Sequence, residues 1–119
     1  MKILTGVPAE RLNDIPSLAQ AAERNGFSGL STQENRHNPF LPLAIAAVHS
    51  QHLELRTNVA IAFARSPMVA AGLAWDLQFA TAGRFVLGLG SQVKGHNQRR
   101  FSVAWSPPAP RLREYIEAI

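Results

Sequence analysis

The apolar run Val59–Phe63 has no polar side chain at alternate positions, although its composition is typical of a β-strand. A strand with one face in solvent alternates apolar and polar residues, whereas a strand of a parallel sheet is covered on both faces and is continuously apolar. Ser66 and Pro67 follow closely, as an N-cap and a first-turn proline that predict a helix. The pattern therefore predicts a parallel strand, Leu53–Phe63, followed by a crossover helix.

The same succession of strand and helix repeats along the chain. The predicted strands are Lys2–Val7, Phe27–Thr32, Leu53–Phe63 and Arg84–Gly90. The predicted helices start at Asn13 or Asp14, at Asn38 and at Ser66, and Pro110–Ile119 begins a fourth after the loop Ser91–Pro110. Gly26 and Gly83 are expected to end the first and third helices, because glycine adopts the left-handed conformation found there.

Each complete helix is predicted to pack one apolar face against the sheet. These faces are Ile15, Leu18, Ala19 and Ala22 in the first helix, Phe40, Leu43, Ala44, Ala47 and Val48 in the second, and Val69, Leu73, Leu77 and Ala80 in the third. Four strand–helix units with crossovers of this length imply a right-handed parallel α/β sheet. Two closures fit the pattern: an open doubly wound sheet, and about the first half of an eight-unit (β/α)8 TIM barrel.

The last predicted helix is not followed by a stop signal. Leu112, Tyr115, Ile116 and Ile119 have the spacing of an amphipathic helix, yet neither a cap nor a glycine comes after them. We therefore expect residues 1–119 to form a single domain that is truncated.

Composition limits the class of protein. With 119 residues, 46% hydrophobic and 17% charged, the chain is typical of one globular domain. Cysteine is absent, which excludes disulfides and thiolate metal sites and is compatible with a reducing compartment. The sequence contains no signal-peptide pattern and no apolar run of about 20 residues that would span a bilayer. We expect a soluble, cytoplasmic protein that does not bind membranes.

The net charge of +4 raises the question of nucleic acid. The arginines are dispersed from Arg11 to Arg113, whereas phosphate-backbone binding needs a continuous basic surface. Basic residues cluster only between Lys94 and Arg100, a segment that also contains His96. We therefore expect no nucleic-acid binding and interpret the cluster as a solvated loop or a contact to an anionic cofactor.

Polar residues that follow the strands are the candidate site, because both closures bind ligands at the carboxyl ends of parallel strands. They are Gln33, Glu34 and His37 after the second strand, Arg65 after the third, and Ser91, Gln92 and His96 after the fourth. His49 and His52 belong to the opposite rim, where a solvated or capping role is expected.

Glu34 is the predicted acid or base, because a carboxylate partly buried at a strand end can exchange protons near neutrality. His37 lies three residues further on and could share this task. The alternative is that Glu34 binds a nearby arginine or caps a turn. No metal site is predicted, because the sequence has neither a helical His-x-x-x-His pair nor a close carboxylate cluster.

The segment Gly88–Val93 partly matches the glycine-rich fingerprint of dinucleotide-binding proteins. Val93 stands where the third glycine belongs, and no helix is predicted to start there, so a Rossmann phosphate loop is rejected. Two interpretations of these glycines remain. Gly90 could let a flat ligand approach the backbone, with Ser91 and Gln92 offering hydrogen bonds, or the glycines could serve close strand packing.

Two segments together resemble the bacterial luciferase-like flavin and deazaflavin oxidoreductases. The first is Thr57–Met68, with its Arg-Ser-Pro motif, and the second is Gly83–Ser91, with Gly-Arg-Phe and Gly-Leu-Gly. The likeness extends through Arg113-Glu114-Tyr115. The Gly-Leu-Gly-Ser-Gln form and the downstream Arg99-Arg100-Phe101 are most similar to the deazaflavin-dependent branch.

The resemblance implies a (β/α)8 barrel in which a reduced flavin or 5-deazaflavin lies across the strand ends and passes hydride to a small-molecule substrate. A flavin mononucleotide (FMN) would alternatively react with oxygen, and we expect the deazaflavin coenzyme F-420 rather than FMN. It further implies a cis peptide at Asn58–Val59 beneath the ring. The implied cofactor-binding residues are Asn58, Val59, Ser91, Gln92 and His96, and the implied catalytic residues are Glu34 and His37. The family often has His directly after the acidic residue, where this chain has Asn35.

A half-barrel would expose the edges of its first and fourth strands, which can pair with another chain. We therefore expect a homo-oligomer or association with a missing C-terminal half, and an isolated chain without activity. The alternative function is a non-catalytic half-barrel that associates with itself or with a complementary chain.

Overall fold

The computed structural model describes residues 1–8 and 10–119. The strands are β1 Leu4–Gly6, β2 Gly29–Thr32, β3 Glu54–Thr57, β4 Ala60–Ile61, β5 Phe85–Val86 and β6 Leu89–Gly90. The helices are α1 Ile15–Arg24, α2 Phe40–His49, α3 Pro67–Ala80, α4 Lys94–Phe101 and α5 Pro108–Glu117. Single 3-10 turns lie at Leu12–Asp14 and Ala62–Ala64. In the described part of the chain, no helix is long and apolar enough to cross a membrane.

The main sheet is parallel and has the strand order β1-β2-β3-β5. A second parallel pair, β4 and β6, continues the third and fourth predicted strands beyond a break. The strand order follows the chain order, and the described strands contain no reversal of the kind that marks a doubly wound sheet. The predicted parallel strand–helix repeat is confirmed, and its order is that of a barrel.

The core lies between the sheet and the first three helices. Leu30 and Leu55 are fully buried partners on neighbouring strands, and Phe85 continues their row on β5. Ile15 of α1 and Leu43 of α2 cover this row from the helix layer. This row of buried side chains fixes the strand register. The register in turn fixes the positions of the polar residues that follow each strand.

Most of the predicted helix boundaries are confirmed. Ser66 accepts a hydrogen bond from Val69 N–H at 3.2 Å, and Asn38 Oδ1 accepts one from Phe40 N–H at 2.8 Å. Gly26 and Gly83 have φ values of +78° and +90°, as expected of helix stops. Asp14 directly precedes α1, but within the described residues its carboxylate does not cap the helix.

The third and fourth predicted strands are wrong as continuous elements. Both strands break at the same level, after Thr57 and before Leu89. At this level the Thr57 hydroxyl takes the place of the backbone hydrogen bonds that pair neighbouring strands. It accepts a hydrogen bond from Gly88 N–H at 2.9 Å and donates one to Gly88 O at 2.8 Å. Beyond β4 the chain turns into the 3-10 helix Ala62–Ala64, so Phe63 is not in a strand.

The predicted loop Ser91–Pro110 contains α4, and the expectation that no helix starts after Val93 is wrong. The sequence of α4 has almost no apolar periodicity, so its pattern gave no helix signal. Asn97 anchors it by donating from Nδ2 to Ser91 O at 2.8 Å. The last helix starts at Pro108, two residues before the predicted start.

Several predicted core positions face outward instead. Val48 of α2 is 73% exposed and Val69 of α3 is 52% exposed, while Ala46 and Ala70 are buried. Leu18 of α1 is also partly exposed, at 38%. Ala44 and Ala80 are exposed as well. The helices α2 and α3 are apolar around much of their circumference, so periodicity alone could not identify the inward face.

Candidate functional site

A cavity of about 230 Å³ opens at the carboxyl ends of the strands. Its lining residues come from the segments after β2 and β3, from β4, and from the end of β6 and the segment after it. We call it the strand-end cavity. They are Gln33, Glu34, Asn35, Asn58, Val59, Ile61, Gly90 and Gln92. The topology therefore brings together polar residues that are far apart in sequence, as predicted for a parallel sheet.

Val59 lines this cavity with an apolar side chain that is 40% exposed, whereas Ile61 is buried. The Asn58–Val59 peptide is cis, which confirms the geometry implied by the resemblance. Asn58 N–H donates to Thr32 O at 2.6 Å, and Glu34 N–H donates to Val59 O at 3.3 Å. The backbone at the end of β2 and just after it is therefore hydrogen-bonded to the backbone of Asn58 and Val59.

Gly88 and Gly90 serve close packing. A Cβ at Gly90 would lie 2.5 Å from Val59 Cγ2, and a Cβ at Gly88 would lie 2.1 Å from Thr57 O. Both distances are far below van der Waals contact, so the packing interpretation of these glycines is confirmed. Gly90 also lines the cavity, and the approach of a flat ligand to it stays a prediction.

Glu34 is buried and binds Arg65, as the alternative interpretation of this residue predicted. Arg65 donates from Nη2 to Oε1 at 2.5 Å and from Nη1 to Oε2 at 3.0 Å. Glu34 Oε2 also accepts a hydrogen bond from Ile61 N–H at 2.6 Å. The Arg65 guanidinium lies 5.3 Å from the Phe40 ring centroid, a cation–π contact that fixes the pair from the α2 side. The acid–base role of Glu34 stays a prediction.

His37 does not line the strand-end cavity. It is exposed and lies in an adjoining cavity of about 420 Å³ with Val7, Glu10 and Ser31. Gln33 and Asn35 line both cavities, which therefore neighbour each other. His37 and Glu34 are three residues apart in sequence, but they line different cavities.

The other two predicted cofactor residues lie beside the cavity rather than in its wall. Ser91 is half-buried, and its carbonyl oxygen accepts the Asn97 hydrogen bond. His96 is exposed on α4, close in sequence to the exposed side chains of Lys94, Arg99 and Arg100. The predicted basic cluster is therefore helical, and its side chains are exposed.

Sequence reasoning missed a third cavity, of about 230 Å³, between α4 and α5. It is lined by Gln92, Lys94, Asn97, Trp105 and Arg111 together with Phe63 and neighbouring residues. Lys94 Nζ lies 5.0 Å from the Trp105 ring centroid, and the Arg111 guanidinium lies 4.4 Å from that of Phe63. The cavity depends on α4, for which the sequence carried no periodic signal.

Tyr115 of α5 lies near Arg65, and the two residues line a common cavity. Its hydroxyl donates to Ser66 O at 3.2 Å, and its ring meets Phe63 edge-on at 6.3 Å. Burial raises the pKa of the Tyr115 hydroxyl above its ordinary value; the positive charge of Arg65 opposes this and the negative charge of Glu34 adds to it.

The segments that carry the site fall within one family. A model of luciferase-like monooxygenases matches residues 2–119. The chain belongs to the luciferase-like monooxygenase family. This confirms the resemblance inferred from Thr57–Met68 and Gly83–Ser91.

One sequence relative of this chain is the uncharacterized protein Rv1360 of Mycobacterium tuberculosis. It is 49% identical over 116 residues, which cover 98% of this chain and 34% of that protein. The chain therefore spans about a third of the length of the relative it matches.

Two solved structures share the fold of this chain over nearly its whole length. The coenzyme F-420-dependent tetrahydromethanopterin reductase of Methanopyrus kandleri has a TM-score of 0.82 and 22% identity, over 98% of this chain and 38% of that one. The oxygenating constituent of 3,6-diketocamphane monooxygenase from Pseudomonas putida, solved with FMN, has a TM-score of 0.83 and 16% identity, over the same shares of 98% and 38%. The strand order and these alignments give this chain the fold of about the first half of a TIM barrel.

Proposed function

We propose that this chain forms part of the cofactor site of a luciferase-like oxidoreductase that transfers hydride to or from a deazaflavin of the coenzyme F-420 type. The observation that carries the proposal is the strand-end cavity, where the exposed side chain of Val59 lies among polar groups from three strand ends. Because the chain spans only part of its relatives, the activity belongs to the complete barrel in this proposal.

The donor set of the cavity fits the ring of such a cofactor. Four of the lining side chains are carboxamides, namely Gln33, Asn35, Asn58 and Gln92. Each carboxamide offers both a donor and an acceptor without a net charge. The pyrimidine edge of a flavin or deazaflavin alternates carbonyl and N–H groups, so it matches neutral amides, and Val59 supplies an apolar surface for the ring.

In this proposal Glu34 is a positioning residue. Its carboxylate is bound by Arg65 and by Ile61 N–H, so it holds β4 in place next to Val59. We assign proton exchange with the substrate to His37, whose imidazole is exposed in the adjoining cavity. The cofactor, when bound, supplies the hydride carrier, and the chain supplies its orientation.

The choice of a deazaflavin over FMN is supported by α4. This helix carries Lys94, His96, Arg99 and Arg100 as exposed side chains, and it starts two residues after Gln92 of the cavity. The tail of coenzyme F-420 bears a phosphate and carboxylates, whereas FMN bears one phosphate. Several basic side chains on one helix would attract the more anionic tail more strongly.

The proposal is tested by equilibrium dialysis of the chain against coenzyme F-420, FMN and, as a control, NAD. We expect weak binding, on the order of millimolar, with coenzyme F-420 tighter than FMN. Gln92→Ala should weaken binding, while Gln98→Ala, an exposed glutamine of α4, should not. If neither flavin-type cofactor binds at millimolar concentration, the proposal is wrong. Tighter binding of FMN would overturn only the choice of deazaflavin.

A second function, association with a complementary chain through open strand edges, is favoured by one observation. In the main sheet β1 and β5 are the outermost strands, and each has one side that no described strand covers. Such edges offer unpaired backbone groups. Val86→Lys, which places a charge on the 41% exposed side chain of the edge strand β5, should abolish edge pairing, and unchanged association of this variant would contradict this function.

A further inference from the structure

The cavity of about 230 Å³ between α4 and α5, which we call the α4–α5 cavity, is positively charged. Lys94 and Arg111 line it, and none of the described residues in its wall is acidic. Within residues 1–8 and 10–119, neither cation forms a salt bridge. Glu114, which lies near Arg111 on α5, lines an adjoining cavity instead. The charge of the α4–α5 cavity therefore disfavours a metal ion and favours an anionic ligand.

Both cations lie against aromatic rings. Lys94 Nζ is 5.0 Å from the Trp105 ring centroid, and the Arg111 guanidinium is 4.4 Å from that of Phe63. A cation–π contact occupies one side of the charged group. An ammonium has three N–H donors and a guanidinium has five, so both groups can bind an anionic oxygen at the same time.

Asn97 contributes a buried hydrogen-bond acceptor to the same wall. It is 7% exposed and lies one helical turn after Lys94. Its Nδ2 donates to Ser91 O at 2.8 Å, which fixes the orientation of the amide, because a flipped amide would bring two acceptors together. Its Oδ1 is shielded from solvent and accepts no hydrogen bond from the described residues. A ligand that donates to Oδ1 would supply the hydrogen bond that this buried acceptor lacks.

Two exposed side chains of the wall can move to admit such a ligand. Trp105 is 53% exposed, and Lys94 is exposed as well. Trp105 belongs to the irregular segment 102–107 between α4 and α5, so neither a helix nor a strand fixes its position. Rotation of these two side chains opens a path to Asn97 Oδ1.

The rest of the wall is mostly apolar, so the ligand needs an apolar body beside its charge. The apolar lining residues are Phe63, Val93, Ala104, Trp105 and Pro108. A body of this kind excludes water from the charged groups and thereby strengthens their contact with an anion.

We propose that the α4–α5 cavity binds a hydroxy acid with an apolar body. The carboxylate of the acid contacts Lys94 and Arg111, and its hydroxyl donates a hydrogen bond to Asn97 Oδ1. Gln92 lines both this cavity and the strand-end cavity, so the bound acid neighbours the proposed cofactor ring. Hydroxy acids are therefore also the substrate class of the enzyme. This role as substrate rests on the proposed function, whereas the binding of the acid does not.

The test uses 3-hydroxybenzoate and 4-hydroxybenzoate as probes. Benzoate lacks the hydroxyl, and 3-hydroxybenzyl alcohol lacks the carboxylate. The chain has two tryptophans, so Trp75→Phe leaves Trp105 as the single indole N–H signal in a nitrogen-15 spectrum. We expect at least one hydroxybenzoate to shift this signal with a dissociation constant on the order of millimolar. Benzoate should bind about fivefold more weakly and the alcohol about tenfold more weakly.

Two charge variants in the Trp75→Phe background locate the binding site. Lys94→Gln should weaken hydroxybenzoate binding at least about fivefold, because an ammonium leaves the cavity. Arg113→Gln, an exposed position of α5 outside the cavity, removes the same charge and should not change the affinity. Both positions are exposed, and circular dichroism checks that both variants are folded.

Three results would overturn the proposal: no shift with either hydroxybenzoate at about 10 mM, equal affinity for benzoate, or unchanged affinity in Lys94→Gln. The titrations contain no cofactor, so they are separate from the dialysis against coenzyme F-420. Hydroxybenzoate binding without cofactor binding would retain the acid site and remove its role as a substrate site. Cofactor binding without hydroxybenzoate binding would remove the acid site alone.

Discussion

Arg65 donates hydrogen bonds from Nη2 and Nη1 to the two carboxylate oxygens of Glu34, at 2.5 and 3.0 Å. The two residues are 31 positions apart in sequence. The side chains are only 13% and 6% exposed, and Arg65 also donates to Ile61 O at 2.9 Å. The pair thus joins the segment after β2 to the segment after β4. Because Val59 and Ile61 flank this junction, the pair determines the shape of the strand-end cavity.

Glu34→Gln should destabilise the chain by about 3–5 kcal/mol, because a buried guanidinium loses its counter-charge. The double variant Glu34→Gln/Arg65→Met should recover part of this loss, since no buried charge then remains. Urea unfolding followed by circular dichroism measures both values.

The matched control for this pair is Lys2–Glu54, whose nitrogen and oxygen are 2.7 Å apart while Lys2 is 71% exposed. Lys2→Met should change the free energy of unfolding by less than about 1 kcal/mol, because exposed ion pairs contribute little. Equal losses for Glu34→Gln and Lys2→Met would contradict the conclusion that the buried Glu34–Arg65 pair stabilises the fold more than an exposed ion pair does.

Gly88→Ala should destabilise the chain by about 1–3 kcal/mol, because the added Cβ meets the backbone of Thr57 at 2.1 Å and backbone cannot rotate away. The control is Gly95→Ala in α4, where a Cβ meets nothing within 4 Å. This change should stabilise by about 0.5–1 kcal/mol, since alanine favours the helix. Thermal unfolding of both variants provides the comparison, and a neutral Gly88→Ala would contradict the packing role.

The sequence was sufficient to predict the parallel repeat because each strand and helix of the repeat has a local signal, whereas α4, which lies outside the repeat, has none. Ser66, Asn38, Gly26 and Gly83 mark helix ends through chemistry confined to a few residues. The break opposite Thr57 was not predictable in the same way, because its cause is a hydroxyl that bonds to a glycine 31 residues away.

The candidate site also has one part that the sequence predicts and one part that depends on tertiary packing. Asn58, Val59 and Gln92 were predicted and do line the cavity, since every strand end in a parallel sheet meets at one edge. His37 and Glu34 are close in sequence but lie in different cavities, because the loop after β2 turns between them. The partner of Glu34 is set by tertiary packing, which no local pattern encodes.

Val59→Ala should weaken binding of coenzyme F-420 by about five- to tenfold, because the ring loses about 1–1.5 kcal/mol of apolar contact. Equilibrium dialysis with the folded variant gives the change in dissociation constant. Val93→Ala, at a 60% exposed position next to Gln92 and outside the strand-end cavity, is the control and should bind as the wild type does. Equal binding by Val59→Ala would remove Val59 from the cofactor surface.

Tyr115 is the single tyrosine of the chain, so its titration can be followed without assignment. Burial raises its pKa, so tyrosinate absorbance in the folded chain should appear above the ordinary value of about 10 and return towards that value in denaturant. Because the pKa is higher in the folded state, the associated stability is present below the unfolded-state pKa and is lost as the pH rises through the folded-state value. Ultraviolet titration and urea unfolding across this pH range measure both effects. A folded-state midpoint at or below that of the denatured chain would show that α5 does not bury Tyr115 against Phe63.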